Sequence, residues 1–260
     1  MTRFVPYLDE EAIERDAEAL LAEYARARRI AITPPVPIDD IIEKHLKLSL
    51  EFDDTHKMFG VPRDPEQEPD ILGAMFFDEA RIVIDDSLDP DENPSKEGRY
   101  RFTLAHEGGG HWRLHRAYFK TDPGQGTLFA GPAPASVVCR SSQAKERVEW
   151  QADFYASCLL MPRHLLFDAW HNEFGTCEPF AFDPDKHTSL DHRRRWSGPR
   201  PVGEFLREIF QDDYVPCFDE IARRFTPAFV VSPLAMRIRL EYLGLLVPDH
   251  SRQQIFADDE

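Results

Sequence analysis

Between residues 9 and 29 the positions Ala12, Ile13, Ala17, Leu20, Leu21, Tyr24 and Ala25 recur at intervals of three and four, with charges filling the other side. That period puts them on one helical face, so the chain is predicted to open with an amphipathic helix. The prolines of "ITPPVPIDD" break the pattern. A short helix is predicted from Ile38 to His45, and Leu46, Leu48, Leu50 and Phe52 then alternate as in a strand. Two β-prone runs, "ILGAMFF" (71–77) and "ARIVIDD" (80–86), meet at the turn-like Asp78-Glu79 and predict a hairpin.

After the polar loop "DPDENPSKEG", a helix is predicted over Arg99 to His115, and the Gly- and Pro-rich residues 121–136 read as a loop or flap. Helical periodicity returns from Gln143 to Met161, stops at Pro162, and resumes briefly at 163–171. The polar stretch from 175 to 201, with Arg193-Arg194-Arg195, reads as a solvated linker. Residues 202–210 read as helix, and "DEIARRFTPAFVVSPLAMRIRLEYLGLL" as helix, turn, helix. The organisation expected is an N-terminal helix (1–35), a core (36–175), a linker (176–201), a C-terminal helical region (202–250) and an acidic tail (251–260).

Composition narrows the function classes. With 260 residues, 42% of them hydrophobic, the chain can build a sizeable core. It contains no run of eighteen apolar residues, and its opening stretch is acidic where a signal peptide needs apolar residues, so a cytoplasmic location without membrane partners is expected. The net charge of -16 opposes broad attraction to DNA or anionic membranes. Cys139, Cys158, Cys177 and Cys217 stand singly, with no C-x-x-C pair, and read as reduced thiols.

The segment that carries chemistry is "FTLAHEGGGHWRLH", residues 102–115. Two histidines and a carboxylate are zinc-ligand types, but a helix usually offers its histidines four residues apart, and here His106 and His111 are five apart. At about 100° per residue, four residues leave two side chains roughly 40° apart around the axis and five leave roughly 140°. A regular α-helix therefore cannot aim both rings at one ion. The intervening Gly108, Gly109 and Gly110 tolerate an irregular backbone, and a π-bulge returns positions five apart to one face, so a bulged or interrupted helix is predicted. A glycine turn between two exposed histidines is the other reading of the same letters.

A second helix bears on the choice. In "ERVEWQADFYASCLLMP", Glu149 and Asp153 share a face with Ala152 and Ala156, whose small side chains permit close approach of another helix. A glutamate ligand followed by an aspartate that holds a histidine ring N–H is one reading, and a solvated acidic face is the other. His115, four residues after His111, makes a further ligand-spaced pair.

These stretches resemble the ImmA/IrrE-type (DUF955) zinc metallopeptidases. "RFTLAHE…GHWRLH" is similar to that family's R-F-T-L-A-H-E-x-G-H-x-x-L-H signature, and "EWQADFYASCLLMP" to its E-x-x-A-x-x-F-A-x-x-L-L-M-P helix. "ILGAMFFDEARIVIDD" looks like its hairpin element, and "FVVSPLAMRIRLEYLGLL" like the helical segment that follows the catalytic core. The resemblance implies an α+β zincin-like metallopeptidase domain with a C-terminal helical appendage. It implies zinc held by His106, His111 and Glu149, with Glu107 as the catalytic general base and Asp153 and His115 supporting the ligands. It further implies a regulatory peptidase whose substrate is a helix-turn-helix transcriptional repressor, cut in a stress response. The departure is the extra glycine, since the family carries His-Glu-x-x-His; dipeptidyl peptidase III is similar in using the longer His-Glu-x-x-x-His form.

Two other functions fit parts of the sequence. A catalytically impaired sensor or interaction protein would follow if the extra glycine displaced His111. DNA binding would follow if Arg223, Arg224, Arg237 and Arg239 met phosphates, although Leu234, Met236, Ile238 and Leu240 on the same helix are expected to be buried. For the peptidase, the cleft is expected between the two site helices and a sheet edge, where an extended peptide adds as a strand.

Overall fold

The computed structural model describes residues 5–63, 71–119, 137–140, 147–182 and 215–248. The expected flap at 121–136, the helix at 202–210 and the tail at 251–260 lie outside the described residues. The chain divides into two compact units, Met1–Leu166 with Ala228–Ser232 and Phe167–Pro227 with Pro233–Glu260. The architecture is mixed α/β, mostly helical with a small sheet.

The opening helix α1 spans Glu10–Arg28. The Asp9 carboxylate caps it by accepting from Ala12 N at 2.6 Å. Glu10 and Glu11 in its first turn and Arg26 and Arg28 in its last complement the helix dipole. Ile13, Ala17, Leu20, Leu21 and Tyr24 are its buried stripe.

The first unit is built on a four-stranded sheet in the order β1 (Ser49–Asp53), β3 (Arg81–Asp85), β2 (Ile71–Phe76), β4 (Val137–Arg140). The expected hairpin is β2 and β3, paired antiparallel with Met75 opposite Ile82. Strand β1 begins at Ser49 rather than Leu46, pairs parallel to β3 and forms one edge. The other edge, β4, was not foreseen; it pairs antiparallel to β2 with an irregularity between Ile71 and Gly73.

Side chains alternate across this sheet. Ala74, Phe76 and Val83 cluster on one face with Phe59 of the short helix α2, Thr55–Phe59. On the other face, Gly73 lies under Thr103 and Glu107, and Ile82 lies under Gly108. Those residues belong to helix α3 (Glu97–Ala105) and to the π-helix His106–His115 that continues it.

Beyond the short helix α4 (Arg116–Phe119), helix α5 (Arg147–Leu160) packs on that π-helix, and α1 packs on α5. The α1 contact has a polar part. Arg113 donates from Nε to Asp16 at 3.0 Å and from both terminal nitrogens to the Glu23 carboxylate at 2.9 Å, while the buried Tyr155 hydroxyl donates to Asp16 at 3.0 Å. Asp16 thus joins one side chain from each element that frames the site. Its replacement by Ala leaves a buried hydroxyl unpaired, so Asp16→Ala is expected to cost about 1–2 kcal/mol in urea unfolding, the half-exposed ion pair adding little.

In the second unit, Trp170 stacks on Phe225 with centroids 5.7 Å apart and donates from Nε1 to the Glu178 carbonyl at 3.1 Å. Strand Phe180–Phe182 pairs parallel with Leu246–Pro248, so the predicted linker contains a strand in its first residues. The expected helix, turn, helix is formed by Val215–Arg223 and Pro233–Tyr242, with the short helix Thr226–Phe229 in the segment that joins them along the chain. Met236 and Leu240 are buried, but Leu234 and Ile238 are 55% and 53% exposed. The burial expected of all four is corrected by helical geometry: residues two apart fall on opposite sides. Arg239 is buried, Arg237 pairs with Asp219 and Glu241, and Arg224 pairs with Glu173. Three of the four arginines that the DNA-binding reading needs are therefore engaged within the protein.

Candidate metal centre

The α-helical ladder of α3 ends at Ala105, and the next ten residues form a π-helix. Bonds from i to i+5 bring residues five apart onto one face. His106 and His111 consequently meet, their Nε2 atoms 2.9 Å apart. The irregularity foreseen from the spacing is present, and it extends over the whole of His106–His115 rather than one bulged turn.

The glycines serve a further purpose that the sequence reading missed. None of the three has a left-handed backbone. Instead, a Cβ on Gly110 would lie 2.5 Å from both Cα and Cβ of Ala152, and one on Gly109 would lie 2.7 Å from the Tyr155 ring. Glycine is required because the π-helix and α5 approach closely. That approach carries Glu149, one turn before Ala152, to the histidines.

Glu149 Oε2 lies 3.3 Å from His106 Nε2, and Oε1 lies 3.6 Å from His111 Nε2. His106, His111 and Glu149 are all buried, their ligand atoms lie within 4.8 Å of one another, and the group could hold a metal ion. Burial favours the neutral acid of Glu149, but the neighbouring His106 and His111 imidazoles outweigh it and hold the carboxyl at about 2. Burial pushes the His111 imidazole down, against the pull of Glu149.

Asp153 and His115 occupy the far sides of the two rings. Asp153 Oδ1 lies 2.8 Å from His106 Nδ1, where the carboxylate oxygen accepts the ring N–H. His115 Nδ1 lies 3.1 Å from His111 Nδ1, behind the ring, so the geometry does not make His111 and His115 a ligand pair. His115 is pushed down to about 4, chiefly by burial and then by the His111 charge. The displacement of His111 that motivated a non-catalytic alternative is absent, because its Nε2 faces that of His106.

Glu107 is fully buried, and among the described residues neither carboxyl oxygen has a hydrogen-bond partner. Desolvation pushes it up to about 8; the His106 charge opposes this, while the charges of Glu149 and Asp153 add to it. Its carboxyl rests against Gly73 of β2, where a Cβ would come within 2.9 Å of Oε1. The sequence signal for Gly73 was a glycine inside a strand, which often marks a close approach.

Gln151 was not foreseen. It is buried, and its Oε1 lies 3.0 Å from His115 Nε2. His56 is also buried. Its Nε2 accepts from Ile71 N at 3.4 Å and its Nδ1 lies 3.2 Å from the Pro62 carbonyl, so it links Pro62 to the start of β2.

Comparison with protein-family models and with curated proteins finds no match to this chain. Among the described residues, no helix is long and apolar enough to cross a membrane.

Proposed function

We propose that this chain is a zinc-dependent endopeptidase of the ImmA/IrrE type, with an α+β zincin-like core, acting in the cytoplasm on a protein substrate such as a helix-turn-helix repressor. One observation carries the metal reading. Asp153 fixes the proton of His106 on Nδ1, so the Nε2 lone pair faces His111 Nε2 and the Glu149 carboxylate in a buried pocket. Acceptors converging in a dry site need positive charge between them, from a shared proton or a metal cation. The separations of 2.9, 3.3 and 3.6 Å bracket the roughly 3.3 Å expected between donors bound to zinc at about 2.0–2.1 Å in a tetrahedron.

His106, His111 and Glu149 would hold the zinc, which when bound supplies polarisation of a carbonyl and acidification of a water molecule. Glu107, unpaired and beside this group, would take the proton of the attacking water and return it to the leaving amine. The close packing of α5 on the π-helix would keep bulk water from the back of the rings.

The test begins with metal. Purified protein is expected to retain about one zinc, with Glu149→Gln losing more affinity than the roughly 10–100-fold that outer-shell changes cost. Cleavage of a mixed peptide library by the zinc-loaded protein, abolished by chelation, then tests the chemistry. Zinc binding with no cleavage of peptides or of a helix-turn-helix repressor would reject the peptidase and leave a metal-binding protein.

A further inference from the structure

The orientation of the Gln151 amide is set by chemistry rather than by choice of flip. Its Nε2 donates to the Pro6 carbonyl at 3.0 Å, and a carbonyl can only accept. The amide oxygen must therefore face His115 Nε2, 3.0 Å away, and that nitrogen must carry a hydrogen. A neutral His115 then has its lone pair on Nδ1. At 3.1 Å from that lone pair, His111 Nδ1 must be the donor, which leaves the His111 Nε2 lone pair free for the ligand group.

We infer that Gln151 is a positioning residue for the metal centre: through His115, it fixes the imidazole tautomer in which His111 can bind a cation. The consequence for zinc rests on the function proposed above; the tautomer itself does not. The chain of four groups has one polarity, from the His111 ring N–H to His115, from His115 to the Gln151 oxygen, and from the Gln151 amide to Pro6. Reversing any link would place a hydrogen on His111 Nε2, where no ligand bond can form.

The anchor is held independently of the metal centre. Val5 is buried, and the Tyr7 ring stacks on Trp150 with centroids 6.4 Å apart and planes within 5°. Pro6 lies between these two attachments, so its carbonyl is fixed over α5. The segment that precedes α1 thereby becomes part of the wiring of the site. His106 gets the same service from Asp153 directly. The two ligand rings are thus oriented from opposite directions, one by a carboxylate and the other by an imidazole–amide relay.

The experiment uses the full chain. Long-range nitrogen–proton spectra of the zinc-free wild type are expected to show His115 protonated on Nε2 only and His111 protonated on Nδ1. Gln151→Met, similar in volume but without an amide, is expected to populate the other His115 tautomer and to weaken zinc binding about 10–100-fold by chelator competition. A packing role alone would not move the tautomer signals. A wild-type His115 carrying its proton on Nδ1 would overturn the inference, as would a folded Gln151→Met protein with unchanged ring signals. Should that variant not fold, the wild-type spectrum decides. Failure of the wild type to bind zinc would overturn the metal reading, while the ring signals would still test this one.

Discussion

Glu107→Gln is expected to remove peptide cleavage while making the metal-free protein more stable at pH 8 by about 3–5 kcal/mol. The catalytic loss expected of the proposed general base is about 100- to 10,000-fold. The gain in stability follows from the burial of an unpartnered carboxyl, which pushes Glu107 up to about 8. In the unfolded chain the same group ionises in the ordinary carboxylate range. Between that range and pH 8 the folded state binds the additional proton, so stability falls as pH rises, by about 1.4 kcal/mol per unit. Glutamine has no proton to lose, and the difference between the two proteins should grow across this window and vanish near pH 4. Burial of His115, which pushes that imidazole down to about 4, costs both proteins stability as pH falls below the ordinary imidazole range; the difference between them cancels it. Urea unfolding of chelator-treated protein from pH 4 to 9 measures this directly. A cation on the neighbouring ligands favours the Glu107 anion, so saturating zinc should shrink the difference. Equal stability of the two metal-free proteins at pH 8 would reject the buried, unpaired Glu107 on which the proposed base rests.

What could be read from the sequence depended on whether a residue acts through a local period or a distant contact. The α1 face was legible because Ile13, Ala17, Leu20, Leu21 and Tyr24 repeat at the helical interval, and all five are buried. The meeting of His106, His111 and Glu149 was legible as two motifs, although the five-residue spacing gave no measure of how far the π-helix would run. Gln151 left no trace because its role depends on Pro6 and His115, 145 residues behind it and 36 residues behind it along the chain. Strand β4 is four residues long, too short to show a period, and it exists through its pairing with β2. The parallel pairing of β1 with β3 likewise has no local signature. For the glycines, flexibility was the property visible in sequence, whereas absence of a side chain is the property that the packing uses.

That distinction makes the three glycines unequal, and Gly110→Ala should be the most damaging of their alanine substitutions. Its new methyl would lie 2.5 Å from Ala152 Cα and 3.1 Å from Ala152 O, so the obstacle includes backbone that no rotamer change can move. Helix α5 would have to retreat, at a cost of about 3 kcal/mol or more. Glu149 would retreat with it from the imidazoles, so zinc affinity should fall at least about tenfold together with stability. At Gly109 the methyl meets the Tyr155 ring at 2.7 Å and Leu159 at 3.1 Å. That ring is buried and pinned through its hydroxyl to Asp16, so a cost of about 1–3 kcal/mol is expected. At Gly108 the contact is closest in distance, 2.2 Å, but the atom is Ile42 Cδ1, the end of a side chain that can turn aside. The roughly 1 kcal/mol that alanine gains over glycine within a helix partly offsets that adjustment, leaving a change within about 1 kcal/mol. Thermal and urea unfolding of the three variants, with zinc competition on each, should give the order Gly110, Gly109, Gly108 from worst to mildest. If the glycines were needed for an unusual backbone instead, the three costs would be similar and unrelated to these neighbours. An equal loss at all three positions, or a greatest loss at Gly108, would therefore refute the account in which close helix approach brings Glu149 to the histidines.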